Sequence, residues 1–314
     1  MTVNIDITKE LKAVEKLIKS DINKEKTILG LYNYIFKSDG KKIRSRLNLI
    51  ASSSSKNSDR YKLASIIELL HTATLVHDDV VDNASTRRGA VSVNSLWSNA
   101  HGVLIGDYIY SKAFMLMVEI GKKDILAELA DATNDISQGE LIQLDAISNI
   151  KISLNKLKKI SYFKTGRLFE ASAKTGAMLA GANKNFIKNI SESAKNIGIL
   201  FQIKDDLLDY SNSSKTGKQS FQDLKEGKIT YPFFFALKNS SQKEKKQLIS
   251  FLGNQRLNEK KALALISKLN GLIKTQQLAE KFYTSSINAA KTINNQFIRQ
   301  EMIELANIAL NREK

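Results

Sequence analysis

Six aspartates carry the chemistry that this sequence announces. They fall in two clusters of one spacing, His77-Asp78-Asp79-Val80-Val81-Asp82 and Lys204-Asp205-Asp206-Leu207-Leu208-Asp209. On a helix each residue turns about 100°, so the first and last Asp of a cluster share a face, one turn apart. Carboxylates crowded in this way repel one another, and burying them without cations is costly. Hard divalent ions relieve that cost, and Mg²⁺ commonly shares a few carboxylates with substrate phosphates. A single acidic cluster is most often a solvated helix face or a cap. Here the apolar runs Ile66-Ile67-Glu68-Leu69-Leu70 and Ile197-Gly198-Ile199-Leu200-Phe201-Gln202-Ile203 lead into the two clusters. Both clusters therefore close helices that belong in an interior, and the pattern predicts a magnesium–diphosphate site.

Three further groups fit that chemistry. With Asp78 as reference, Asp82 lies one turn towards the mouth of the site and Thr74 one turn deeper. His71, seven residues back, returns to about the same face; it is expected to join the site, against the alternative of a hydrogen-bonded core histidine. The pair Arg87-Arg88, followed by Gly89, could hold diphosphate oxygens through bidentate hydrogen bonds, against the alternative of a solvated surface pair. The run Gly40-Lys41-Lys42-Ile43-Arg44-Ser45-Arg46 opens a helix, and a basic helix N-terminus is a ready anion site.

The elements that position these groups are helices. Hydrophobic residues make up 42% of the 314, enough for a substantial core, and Pro232 is the one proline. Leu, Ile and Ala recur at three- and four-residue intervals, which is helical periodicity. No alternating β-branched run stands out. The predicted helices are 3–19, 23–37, 42–55, 59–83, 92–119, 122–147, 153–180, 184–211, 229–239, 242–252, 257–270, 273–291 and 294–311. Connections are short except Asn83 to Val91 and Tyr210 to Lys228, which directly follow the two Asp clusters. Their Arg, Lys, Gly and Ser content is that of mobile loops covering phosphates. No linker or short repeat divides the chain, so one domain over 1–314 is expected.

Composition narrows the function. Without cysteine there are no disulfides or thiolate metal sites, which fits a reducing cytosol. The net charge of +16 invites a nucleic-acid reading. The lysines are dispersed along amphipathic helices and no nucleic-acid motif appears, so no nucleic-acid partner is expected; a basic surface also suits anionic substrates or an anionic membrane face. Met1 to Lys19 resembles neither a secretory signal nor a transit peptide. No apolar run approaches the roughly 20 residues needed to span a bilayer. A soluble, cytoplasmic protein is expected.

Taken in order, these residues resemble the trans-isoprenyl diphosphate synthases, or polyprenyl synthetases, from about Asp39 to Pro232 and more weakly beyond. The family pattern Gly-Gly-Lys-Arg-x-Arg-Pro is matched by Asp39-Gly40-Lys41-Lys42-Ile43-Arg44-Ser45, with Asp39, Lys42 and Ser45 as departures. The stretch His71 to Asp82 looks like the first aspartate-rich motif. Further matches are Gly139-Glu140-Leu141-Ile142-Gln143-Leu144, Lys164-Thr165-Gly166, Phe201 to Tyr210, Gly217-Lys218, and Asp223 to Pro232. Phe221 stands where the family often has Gly.

The resemblance implies an all-α, antiparallel helical bundle around a deep central cavity, usually homodimeric, with the two Asp-bearing helices facing each other across its mouth. It implies that Lys41, Arg44, His71 and Arg88 bind isopentenyl diphosphate. Arg87, Lys164, Thr165, Gln202, Lys218 and Lys228 would contact an allylic diphosphate such as farnesyl diphosphate. Magnesium would be held by Asp78, Asp82 and Asp205, with Asp79, Asp206 and Asp209 as further candidates, and Lys164 and Arg87 would assist ionisation. The allylic cation is then attacked by the isopentenyl double bond, a proton leaves, and the chain grows by one isoprene unit.

Elongation stops where the pocket ends. One turn below Asp78 stand Ala73 and Thr74, both small, where short-chain members commonly resemble one another in a bulky residue. Growth is therefore expected to pass this level and halt deeper, against Phe114 or Met117, for which ordinary core packing is the competing role. The expected activity is that of a long-chain, octaprenyl-like synthase supplying a quinone side chain, with contact at a membrane surface to assist product release. A short-chain geranylgeranyl or farnesyl synthase is the nearest alternative. A terpene cyclase and a non-catalytic synthase subunit are more distant ones.

Overall fold

The computed structural model describes residues 6–20, 22–37, 40–211 and 220–312. Asp39, Gly217 and Lys218 lie outside the described residues. The chain divides into two compact units. One comprises Met1–Thr133, Ala171–Ile190 and Asn295–Ile298; the other comprises Asn134–Glu170, Ser191–Asn294 and Arg299–Lys314.

The elements of the N-terminal part are α1 (Ile7–Ile18), α2 (Lys26–Ile35), α3 (Ile43–Ala51), α4 (Asp59–Val81), the strands β1 (Thr86–Arg87) and β2 (Ala90–Val91), α5 (Val93–Leu96), α6 (Asn99–Ile120) and α7 (Lys123–Leu144). Within the first unit α4 is the centre, packed against α1, α3 and α6. Eight consecutive residues of α4, Leu63 to Leu70, are buried, and a helix buried all round belongs inside a core rather than on a surface. Each of its Leu and Ile side chains contributes roughly 1.5–3 kcal/mol of apolar burial. Helix α6 runs antiparallel to α4: a Cβ on Gly102 would meet Val80, while Lys62 pairs with Glu119 at 3.0 Å near the opposite ends.

The remaining elements are α8 (Leu154–Ser161), a π-helical turn (Tyr162–Gly166), α9 (Arg167–Leu179), α10 (Lys184–Leu208), α11 (Gln222–Lys225), α12 (Tyr231–Asn239), α13 (Gln242–Ile249), α14 (Glu259–Lys268), α15 (Gly271–Lys291) and α16 (Gln296–Leu310). In the second unit α12 packs against α14 and α15. Pro232 falls in the first turn of α12, where a missing N–H costs nothing. Buried Ile197, Leu200 and Ile203 bring α10 to its acidic end.

Four expectations are corrected. The segment 92–119 is two helices, because the chain breaks at Trp97 and Ser98 restarts it, its Oγ accepting from His101 N at 3.3 Å. The segment 153–180 is interrupted by the π turn. The Asn83–Val91 connection carries a two-strand hairpin pairing Thr86 with Val91 and Arg87 with Ala90. The connection after Tyr210 contains α11. Among the described residues no helix is long and apolar enough to cross a membrane.

Candidate active site

In the first unit the acidic cluster ends α4. Asp82 caps the helix, its N–H donating to Asp78 O at 2.8 Å, so the two carboxylates stand one turn apart. Asp79 points the other way and is buried. Arg87 holds it with two donors, Nε at 2.7 Å and Nη2 at 2.5 Å from Oδ1. Burial pushes the Asp79 carboxyl up and the Arg87 guanidinium opposes that, without cancelling it. The hairpin is what aims Arg87: Arg88 and Gly89, its two loop residues, both have positive φ (53° and 78°), as a tight primed turn requires. Gly89 was the sequence signal for that turn.

A basic cluster lies further along the same helix. Arg44 from α3 places Nη1 2.8 Å from His71 Nε2. Glu68, one turn before His71, lies 4.0 Å from His71 Nδ1 and accepts from both the N–H (3.3 Å) and the hydroxyl of Ser45. Burial alone would raise the Glu68 carboxyl; hydrogen bonding to His71 and Ser45 and the charge of Arg44 outweigh it and hold the group down to about 2. Burial and the Arg44 charge push His71 down to about 4, so its imidazole is neutral at pH 7. Arg88 reaches the same place. A Cβ on Gly40 would fall 2.7 Å from Arg88 Nη1, so Gly40 lets that guanidinium lie against the backbone beside the exposed Lys41. Lys41, Arg44, His71 and Arg88 thus belong to one region.

In the second unit a line of side chains runs through the other cluster. Thr165 Oγ1 donates to Gln202 Oε1 (2.7 Å), Gln202 Nε2 donates to Asp206 Oδ1 (2.9 Å), and Tyr231 N donates to Asp206 Oδ2 (3.3 Å). Asp209 receives the N–H groups of Gln222 (2.9 Å) and Asp223 (3.3 Å) at the start of α11. Burial, and then repulsion from Asp223, push both Asp206 and Asp209 up to about 8. Asp205 is half-buried, and Arg312 sits 2.6 Å from its Oδ1. Lys164 is presented by the π turn and engages Gln143 and, at 2.7 Å, Glu140. Gly139 permits this: a Cβ there would lie 2.8 Å from Phe163 Cβ and 3.0 Å from Lys164 N. Lys228 is buried and pairs with Glu226 at 2.7 Å.

Spacing and motif assign no role to Glu68, Ser45 or Arg312, and none to Asp223, Glu140 or Gln143 beyond their motifs. Glu140 and Gln143 had a signal, being one turn apart behind a glycine. The others depend on tertiary proximity and had none.

The donor set suits magnesium. Among the described residues no group of three or more Asp, Glu or His side chains forms a metal cage by itself. Mg²⁺ does not require one, because it keeps water and phosphate oxygens and takes one or two carboxylates. Asp78 with Asp82, and Asp205 already facing a cationic group, meet that description. Of the chain-length candidates, Ala73 and Met117 are buried, Thr74 bonds back to His71 O at 2.8 Å, and Phe114 is half-buried against the Tyr110 ring at 5.1 Å.

Comparison with known proteins identifies relatives of the whole chain. The polyprenyl synthetase family matches residues 25–269. The octaprenyl diphosphate synthase of Escherichia coli (strain K12) is 32% identical over 99% of this chain and 98% of its own. A decaprenyl diphosphate synthase from Rhodobacter capsulatus superposes with a TM-score of 0.92 at 29% identity, covering 98% of this chain and 97% of that one. A polyprenyl synthase from Caulobacter crescentus, solved with calcium and isoprenyl diphosphate, gives a TM-score of 0.90 at 30% identity, covering 98% and 95%. The fold and site define an all-α prenyltransferase, and the chain belongs to the polyprenyl synthetase family.

Proposed function

We propose that the chain is a long-chain, octaprenyl-like trans-polyprenyl diphosphate synthase working as a single domain over 1–314. It condenses isopentenyl diphosphate onto an allylic diphosphate, with farnesyl diphosphate as the expected primer. One observation carries the reading: α4 bears both an aspartate pair at its end and, along the helix at His71, the basic cluster of Arg44 and Arg88. Two diphosphate sites are what a condensing enzyme needs. A terpene cyclase needs one, and an inactive subunit needs neither.

Asp78, Asp82 and Asp205 would hold magnesium, with the buried Asp206 and the half-buried Asp209 as further members of the set. The ion supplies charge stabilisation for the departing diphosphate. On this reading Lys164, Arg87 and Lys228 would add positive charge where the allylic carbon–oxygen bond breaks. Thr165 and Gln202 fix the direction of Asp206. Arg44, His71, Arg88 and Lys41 hold the isopentenyl diphosphate alongside, so that positioning lowers the entropic barrier to attack. Lys218 is assigned to the allylic diphosphate on the family pattern alone.

Small residues below Asp78 favour a long product over a geranylgeranyl or farnesyl one, and a quinone side chain is the use that such a product suits. A homodimer is part of this reading. Leu104, Met115 and Val118 of α6 are 66%, 68% and 69% exposed and share one face, more apolar surface on one helix than a solitary subunit usually shows. A cytoplasmic location is part of this reading; among the described residues no helix is long and apolar enough to cross a membrane. The test is product analysis. Purified protein with labelled isopentenyl diphosphate, farnesyl diphosphate and Mg²⁺ should give dephosphorylated alcohols well beyond geranylgeraniol on reversed-phase separation. Products ending at geranylgeraniol would make it a short-chain synthase.

A further inference from the structure

We propose that Glu68 is a positioning residue for isopentenyl diphosphate binding. It fixes the tautomer of His71 and, through His71, the direction of the Arg44 guanidinium. Ser45, standing where the family has proline, clips Glu68 in place. The inference rests on the synthase reading above and assigns roles that the binding motif by itself does not.

A guanidinium can only donate. Arg44 Nη1 lies 2.8 Å from His71 Nε2, so Nε2 must be the bare, accepting nitrogen. A neutral ring then carries its proton on Nδ1, the nitrogen facing Glu68 Oε2 at 4.0 Å. A carboxylate on that side favours the Nδ1–H form, as a second partner commonly sets a histidine tautomer. The opposite tautomer would turn a proton at Arg44 and drive the guanidinium away.

Glu68 must therefore stay ionised and stay still. It is buried, and an uncompensated buried carboxylate would instead take up a proton. Ser45 supplies what is missing, its backbone N–H at 3.3 Å and its hydroxyl both donating to Oε1. Proline at this position would have neither donor. The charged groups facing His71 are Glu68 on its own helix, Arg44 from α3 and Arg88 from the hairpin. The two cations repel a proton on the ring, so the imidazole remains an acceptor that aims Arg44, leaving Arg44 and Arg88 to meet the diphosphate. In this arrangement His71 aims Arg44 before the substrate arrives.

The experiment has two arms on the full chain. Long-range ¹H–¹⁵N spectra of histidine-labelled wild type at pH 7, with His71 identified by its loss in His71→Asn, should show the Nδ1-protonated tautomer. In steady-state assays Glu68→Gln, which keeps the size and removes the charge, should raise KM for isopentenyl diphosphate about tenfold. KM for the allylic diphosphate should rise far less. Ser45→Ala should move the same constant in the same direction by a smaller factor. An Nε2-protonated or doubly protonated His71 would overturn the proposal. So would a folded Glu68→Gln whose two KM values rise equally or not at all. Wild type that condenses nothing would overturn the synthase reading instead, and the spectrum would still report whether His71 has the tautomer that Arg44 demands.

Discussion

Arg312 and Asp205 form a contact that places a cation on the second aspartate cluster. The guanidinium is 2.6 Å from Asp205 Oδ1 and lies 3.9 Å over the Phe201 ring, so it is held by charge and by the ring face together. A magnesium ion binding at Asp205 has to compete with it. Arg312→Gln should therefore let Mg²⁺ protect the protein at a concentration several-fold lower than wild type requires, read as the midpoint of Tm against added Mg²⁺. An unchanged midpoint would mean that Arg312 and the ion do not share Asp205.

Pocket depth should set product length at Ala73. This residue is fully buried one turn and a little below Asp78, and Phe at this position would fill space that a growing tail is expected to pass. Ala73→Phe should shorten the main product by several isoprene units while condensation continues. Full-length product from the purified variant would place the tail elsewhere.

Phe221, which stands where the family often has Gly, adopts a left-handed backbone conformation. Its φ is 59° and its ψ 25°, which costs a bulky residue roughly 1–2 kcal/mol. The ring is buried edge-on to Tyr210 at 5.1 Å, and burying an aromatic ring is worth more than the strain, since Phe→Ala in cores costs about 3–5 kcal/mol. Phe221→Gly should thus destabilise the fold by about 1–3 kcal/mol in urea melts, the relieved strain offsetting part of the lost burial. A stabilised variant would show that the ring contributes little.

The His71–Glu68 pair makes stability fall in acid. His71 titrates near 4 when folded against an ordinary 6.5, so between those values the unfolded chain binds the extra proton and stability drops as pH falls. The loss is about 3 kcal/mol at most. Glu68, held near 2 against 4.5, contributes stability above 4.5 that is lost as pH falls through 2. Asp206 and Asp209, raised to about 8, act with the opposite sign, so a single pH curve mixes both. Comparing His71→Asn with wild type isolates the histidine: in metal-free buffer the variant should lose less stability between pH 6.5 and 5. Parallel curves would place His71 in an ordinary environment.

The sequence disclosed the parts that depend on local pattern. Helix α4 was expected at 59–83 and ends at Val81, because the apolar run and the acidic cluster mark its course. The six aspartates, His71, Arg44 and Lys164 stand out in the sequence by spacing and motif. The division of labour among the aspartates was not. Asp79 pairing with Arg87 and Asp209 capping α11 depend on where a hairpin and a short helix return, and neither has a long periodic signal. The π turn was likewise hidden, since Tyr162 to Gly166 reads as ordinary helix. Ser45 looked like a departure from the pattern; its two donors acquire meaning only once Glu68 is beside it.

The account stands on the aspartates as holders of the ion that lets the allylic diphosphate leave. Its most direct test is incorporation of labelled isopentenyl diphosphate by wild type, Asp78→Asn and Asp205→Asn across a Mg²⁺ titration, with circular dichroism confirming the folds. The expected result is no product without Mg²⁺, and rates about 10²–10³-fold below wild type in each variant at saturating ion. Mg²⁺-independent condensation, or folded variants that keep the wild-type rate, would contradict it.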